Sequence, residues 1–275
     1  MPPYIEYFIL IKKNNMNLLK IEWLKLRKYK TFWILSSLFA GLFLLWNYGV
    51  NKSFISTGKG PVNLFSSTYS FPQIWGNMGY IYSWFVIFLC VFVIISISNE
   101  FSFRTHRQHI IDGMERLNFL NAKAFLVLSI ALSATMFFIL TGLLFGFMNG
   151  GGNPFLNFEK VGYVFLYTLN YLSFSAFIAF FIKRSGLSIM LLLAYFLIEA
   201  IISGLINWKF DTYIGNLLPL QSSDELLPLN ALKALNKMAG NAQTEAPIYL
   251  LVAASVIYIS LYYVVLRRKL LTTDL

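Results

Sequence analysis

Between Glu100 and Lys123 the chain reads EFSFRTHRQHIIDGMERLNFLNAK, a polar stretch lodged between two long hydrophobic runs. His106 and His109 stand three apart, a spacing that puts two imidazoles on one helical face. A zinc site needs more ligands than two, and Asp112 and Glu100 are the nearby candidates; the pair reads as polar surface rather than a metal site. Arg104 and Arg107 are also three apart. Asp112, with Glu115 three positions later, has the form of a capping box, and Gly113 beside it is a poor helix-interior residue. The stretch therefore predicts a helix continuing to Ile111, a break at Asp112 and Gly113, and a new helix from Glu115.

Glu199 is the one carboxylate inside a hydrophobic run. A buried intramembrane acid is costly, and it faces a bundle interior, a cavity or a partner. It either lines a translocation path or contacts a cationic substrate, or it pairs with a hydroxyl such as Ser203, one turn on. Asn170, Ser173 and Ser175 share another run. Asn170 belongs to the same possible path, and all three also suit helix-to-helix hydrogen bonding. The single cysteine, Cys90, excludes an intrachain disulfide and a cysteine metal cluster, and reads as a small buried hydrophobe. No GxxxxGK[ST] phosphate loop occurs; TGKG at 57–60 lacks the glycine spacing.

These residues need elements to hold them, and composition says in what solvent. With 57% hydrophobic, 18% aromatic and 12% charged residues over 275 positions, the chain is too apolar for a soluble domain of its size. Six runs are long enough to cross about 30 Å of hydrocarbon: 31–50, 80–98, 124–148, 161–182, 187–206 and 248–266. They are continuous, without the alternation of a barrel strand, so the fold class is an all-α integral membrane protein.

Sixteen of the 22 lysines and arginines flank one side of these spans: those at 12–30, 104–123, 183–184 and 267–269. The remaining six are Lys52, Lys59, Lys160, Lys209, Lys233 and Lys237. The asymmetry places both termini in the cytoplasm of a multi-pass, inner-membrane-type helical bundle. The net charge of +10 borders spans rather than forming a groove with stacking aromatics, which argues for lipid headgroups and against nucleic acid.

The first thirty residues form a unit of their own, followed by a membrane domain over 31–269 and a tail over 270–275. Residues 1–15 lack the order of a signal peptide, and Met16 opens a more convincing start. From Asn17 to Lys30, Leu19, Trp23 and Leu26 share a face, which predicts an interfacial helix turning into the first span. On the other side, FPQIWGNMGYIYSWF (71–85) predicts aromatic anchoring at the outer interface. In the loop 207–246, Ser222, Ser223 and Asp224 read as caps for a short helix over ELLPLNALKALNKMAG, on or dipping into the outer face.

A polar elbow protruding from such a bundle is a lever on which a soluble partner can push. Here the chain resembles the type-2 ABC transporter permeases of bacterial exporters. These share a basic interfacial helix, six spans, and a motif after span two of the form E-x-x-x-G-T, then S-R, then a Lys seven residues on. Glu100, Thr105, Arg116 and Lys123 match it; Arg104 stands in the Gly position and Glu115 in the Ser position. The form RTHRQHIIDGMER is similar to a variant in permeases of the Bacteroidetes lineage.

The resemblance implies a transport subunit that is not itself an enzyme and holds no cofactor, with Mg-ATP bound by a separate ATP-binding subunit. It also implies a second permease copy or a related permease, two permeases with two ATPases, and export by alternating access. Glu100, Thr105 and Arg116 are carried over from the motif as the contact with the ATPase, through a coupling helix between spans two and three. Arg104, Arg107, Asp112 and Gly113 join them on local geometry. Capping or headgroup contact is the competing role for each. The rival functions are an intramembrane enzyme, which needs clustered catalytic groups at membrane depth, and an ATP-independent secondary transporter or scaffold. The secondary transporter would favour several intramembrane charges or broken helices in matching halves.

Overall fold

The computed structural model describes residues 25–52, 69–103, 115–149, 152–210, 212–228 and 246–272. Among them, six helices are long and apolar enough to cross a membrane: α1 (Lys30–Asn51), α2 (Ile74–Ser102), α3 (Arg116–Met148), α4 (Glu159–Ile182), α5 (Ser185–Phe210) and α7 (Ile248–Thr272). A 3₁₀ turn (Ile214–Leu217) and the four-residue helix α6 (Gln221–Asp224) lie between α5 and α7.

Burial sorts the helices. The most apolar windows of α2 and α4 are 61% buried, against 22% for α1 and 17% each for α5 and α7, so α2 and α4 form the centre. A helix that is hydrophobic all round belongs where neighbours cover every side, and α2 fits that description. The outward faces of α5 and α7 keep large exposed side chains such as Met190, Leu197, Ile201 and Ile257, as hydrocarbon solvation demands.

The centre is knitted by aromatic rings. Tyr82 of α2 meets Phe39 and Phe43 of α1 edge-on at 5.6 and 5.7 Å, and Phe138 of α3 at 5.4 Å. Its hydroxyl shares a 2.9 Å hydrogen bond with Thr168 of α4, so the ring's one polar atom is satisfied where no water reaches.

Several helices outrun their sequence-based limits. α2 starts at Ile74 rather than 80, and Phe71, Trp75 and Tyr82 are buried in the bundle instead of anchoring at the interface. The reason is space on α3: a Cβ at Gly142 would lie 2.4 Å from the Trp75 ring, and one at Gly146 equally close to Phe71. Trp75 then donates to Pro154 O at 3.0 Å.

At the other end α2 stops at Ser102. Phe103 leaves helical geometry (φ −87°, ψ 4°), so α2 does not run unbroken to Ile111. Ser102 donates to Lys183 O at 3.4 Å, a tertiary bond that ties the end of α2 to the junction of α4 and α5. α3 begins at Arg116, eight residues before the predicted span, with Glu115 as its extended N-cap residue and no side-chain cap bond. Glu115 is therefore the residue before the helix, not the third residue of a capping box.

Candidate functional site

Among the described residues, the basic residues expected on one side of the membrane converge at one end of the bundle. Oε1 of Glu100, near the end of α2, accepts from Lys123 Nζ of α3 at 2.7 Å and from Lys25 Nζ at 3.1 Å. Lys123 is 1% exposed and Glu100 13%, so this is an ion cluster set into the protein, with Lys25 at 36% on its open side. Phe119, one turn before Lys123, lies with its ring 5.7 Å from the ammonium. Lysine suits the position, because its apolar stem packs along α3 while its charged end reaches across to α2.

A neutral hydrogen bond runs beside the charges: Asn99 Nδ2 donates to Tyr29 Oη at 2.6 Å. The helical turn at 25–28, the end of α2 and the start of α3 are thus tied at one point. Arg116 extends the tie by donating from Nη1 to Leu270 O at 3.3 Å. A cation against the last carbonyls of α7 also complements that helix's dipole. Nearby, Lys183 stands in the left-handed region (φ 59°) between α4 and α5, its ammonium 5.3 Å from the Phe101 ring.

Of the residues singled out in the polar stretch, Glu100 and Arg116 meet different neighbours but frame the same end of the bundle. Arg104, Thr105, Arg107, Asp112 and Gly113, with His106 and His109, lie outside the described residues. The sequence reading left out the pairing of Glu100 with Lys123 and with Lys25. The signal for it was present: opposite charges at the facing ends of successive spans, each just beyond the hydrophobic run.

The opposite end carries a second polar constellation. Glu199 is 4% exposed, and its Oε1 accepts from the backbone N–H groups of Leu220 and Gln221 at 2.8 and 3.2 Å. Ser203, the hydroxyl expected to pair with it, is not its partner. Asn170, fully buried, donates to Pro219 O at 2.8 Å and to Ser223 Oγ at 2.9 Å. Tyr171 donates to Asp224 Oδ1, and Ser222 shares a 3.1 Å bond with Ser255 of α7.

The segment 212–228 therefore enters the bundle rather than lying over it. Glu199 and Asn170 each stand eleven residues from the ends of α5 and α4 that lie opposite the basic end, about 17 Å at 1.5 Å per residue. Irregular backbone at that depth is tolerated when protein groups satisfy it, and these side chains do so. Gly215 permits the close approach: a Cβ there would lie 2.4 Å from Ser203 O, while its N–H donates to Asn207 Oδ1 at 2.8 Å.

Ser222, Ser223 and Asp224 are consequently not caps of a following helix. The two serines bond Pro219 O and Leu220 O and are fully buried, and Asp224 is held by Tyr171. The helix expected beyond them falls mainly on 229–245, outside the described residues. Burial pushes the Asp224 carboxyl up to about 7, the charges of Glu199 and Glu225 add to that, and the Tyr171 hydrogen bond opposes it. Nothing in the spacing of LPLQSSDELL marked Asp224 or Tyr171, because the stretch reads as an ordinary outward loop.

Among the described residues no three of His, Cys, Asp and Glu come together as a metal site. A family model described as "ABC-2 family transporter protein" matches residues 18–199. No curated protein matches the chain. The family match takes in Lys25, Glu100, Arg116 and Lys123 and ends at Glu199, so the ion cluster lies inside it and the segment 212–228 with α7 outside.

Proposed function

Because the chain belongs to the ABC-2 family of transporters, whose model covers residues 18–199, we propose that it is the permease subunit of an ATP-driven exporter. ABC-2 membrane proteins work in general with an ATP-binding subunit. On this reading the subunit docks at the basic end of the bundle, in the cytoplasm, against the stretch 104–114. Two permeases and two ATPases make the working assembly, and Mg-ATP is bound and hydrolysed in the partner chains.

The observation that carries the reading is the Lys25–Glu100–Lys123 cluster. It ties together the two roots of the polar stretch and the N-terminal helical turn. A push on Arg104, Thr105, Arg107, Asp112 or Gly113 would then reach α2 and α3 together, as one body, instead of flexing a loop. Arg116 passes the same displacement to the end of α7 through Leu270. Energy delivered at one end would have to rearrange a bistable contact elsewhere to move cargo.

Glu199 and Asn170 belong to that far contact. They hold 219–223 at middle depth, and cargo leaving outward must pass or displace this segment. The role assigned to them is thus control of the exit, through the backbone they bind.

The test is co-purification of the full-length permease from its own membrane. An ATP-binding subunit should be retained and should hydrolyse ATP in the complex. Transport that proceeds at its normal rate with no ATPase present would reject the proposal.

A further inference from the structure

Beside the ion cluster, a groove of about 400 Å³ runs along the seam between α3 and α7, with α4 as its floor. Its walls are almost entirely apolar. Leu169, Ala176 and Phe180 form the floor, while Ala124 and Tyr263, both exposed, flank the opening. Small side chains keep it open: Ala124, Ser173, Ala176 and Ser260 come from all three helices, and larger residues at these positions would fill it. Across the seam, Tyr263 Oη donates to Asn121 Oδ1 at 2.7 Å.

The groove's length and rim say what occupies it. From Leu169 to Phe180 the floor extends about 17 Å along the helix axis, comparable with half of the roughly 30 Å hydrocarbon core. It therefore lies in one leaflet and opens sideways to the acyl chains. Lys123 lines its basic end. Arg267 follows Tyr263 by four residues and Val264 by three, so it stands one turn below them on the groove-facing side of α7. Arg116 stands below Leu120 on the facing wall and reaches α7 at Leu270. Arg268 is the next exposed cation of α7, while Lys269 lays its ammonium over the Phe181 ring of α4, 3.4 Å from its centroid. Among the described residues the acids close by are Glu115, at the start of α3, and Glu100, engaged by Lys25 and Lys123.

We propose that this seam is a binding site for an anionic phospholipid, one acyl chain lying in the groove and the phosphate resting between Arg116 and Arg267. An apolar slot open to hydrocarbon takes up chain, and a basic rim at headgroup level selects a negative head. The site is separate from the exit segment and borders the ion cluster through Lys123. Bound lipid would thus brace α3 against α7 at the end where the ATPase is proposed to push. The inference uses the position of the basic end in the headgroup layer and does not depend on transport or on the partner.

The test is native mass spectrometry of the delipidated full-length protein in detergent, titrated separately with phosphatidylglycerol and phosphatidylcholine. One phosphatidylglycerol should be retained in preference to phosphatidylcholine, by about fivefold for each basic residue engaged. Ala124→Phe and, from the other wall, Ser260→Phe put bulk at exposed positions that a folded bundle tolerates; both should lower occupancy by either lipid. Arg267→Glu should abolish the preference while leaving phosphatidylcholine occupancy unchanged. Equal retention of the two lipids by the unaltered protein would overturn the proposal. So would undiminished phosphatidylglycerol in both groove-filling variants, including the case in which they alter self-association, which would make the seam a contact between copies. Competition by soluble glycerol phosphate as effective as the lipid would reduce the site to an anion patch and likewise reject it.

Discussion

The two ends of this bundle bury charge by opposite means. At the basic end a carboxylate accepts from two lysines among the described residues, so opposite charges attract one another across three chain segments. At the opposite end Glu199 and Asp224 accept from backbone N–H groups and a phenol among the described residues. The first arrangement can bind elements into a rigid body while staying at the polar boundary. The second holds an irregular segment at membrane depth through directional hydrogen bonds, which a change of protonation can loosen. On the proposed function, force enters at the braced end and is spent at the one with titratable bonds.

The sharpest way to break this contrast is to remove one charge from the basic end. Glu100→Ala removes the carboxylate that accepts from the buried Lys123 ammonium, a loss of roughly 3–5 kcal/mol for deleting one half of a buried pair. The thermal midpoint in detergent should fall steeply, and Lys123→Met added to it should restore much of the loss. Equal destabilisation by the single and double variants would show that the cluster is not a charge pair in any energetic sense.

At the opposite end the expected effect is smaller. Glu199→Leu leaves the buried N–H of Leu220 without its acceptor, at about 1–3 kcal/mol, while the part-buried Gln221 N–H adds less. Glu199→Gln keeps an acceptor and should cost less stability, while altering ATP hydrolysis of the assembled transporter if the exit segment moves in the cycle. A change confined to the thermal midpoint would leave Glu199 a structural residue. Tyr171→Phe removes one bond to a carboxylate, worth about 1.5–3 kcal/mol if Asp224 is charged and nearer 1 if it is neutral.

Acidity separates the two ends most finely. The Asp224 carboxyl is raised from 3.8 to about 7, so the folded chain keeps this proton over a range in which the unfolded chain has released it. Its contribution to stability is therefore greatest below about pH 4 and is lost as pH rises toward 7. Asp224→Asn should remove that slope from a pH series of thermal midpoints. An unchanged slope would place the titration elsewhere. Glu199, Glu225 and Tyr171 are the groups that face this carboxyl and shape the curve.

The six spans were legible because continuous apolar runs of twenty residues have one backbone solution in lipid. Their ends were less so. Arg116–Lys123 is helical although its polarity resembles a loop, since α3's hydrogen bonds continue past the hydrocarbon boundary. The burial of Trp75 was hidden because it depends on Gly142, 67 positions away, leaving a gap for the ring. Glu100 and Glu199 were recognisable as unusual by chemistry alone, but their partners were not. Lys25 and the Leu220 backbone reach them only through tertiary packing. Asp224 was missed for the same reason, because an outward loop and a segment folded back into the bundle have the same composition.

The polar stretch rooted on the ion cluster is proposed to engage an ATP-binding subunit. How much of that subunit co-purifies with the Arg104→Glu/Arg107→Glu permease, with Asp224→Asn as the control at the other end, decides it. The charge-reversed protein should lose the ATPase or keep it with hydrolysis uncoupled, while the control retains it in full. Undiminished association with coupled hydrolysis in the charge-reversed protein would contradict the proposal.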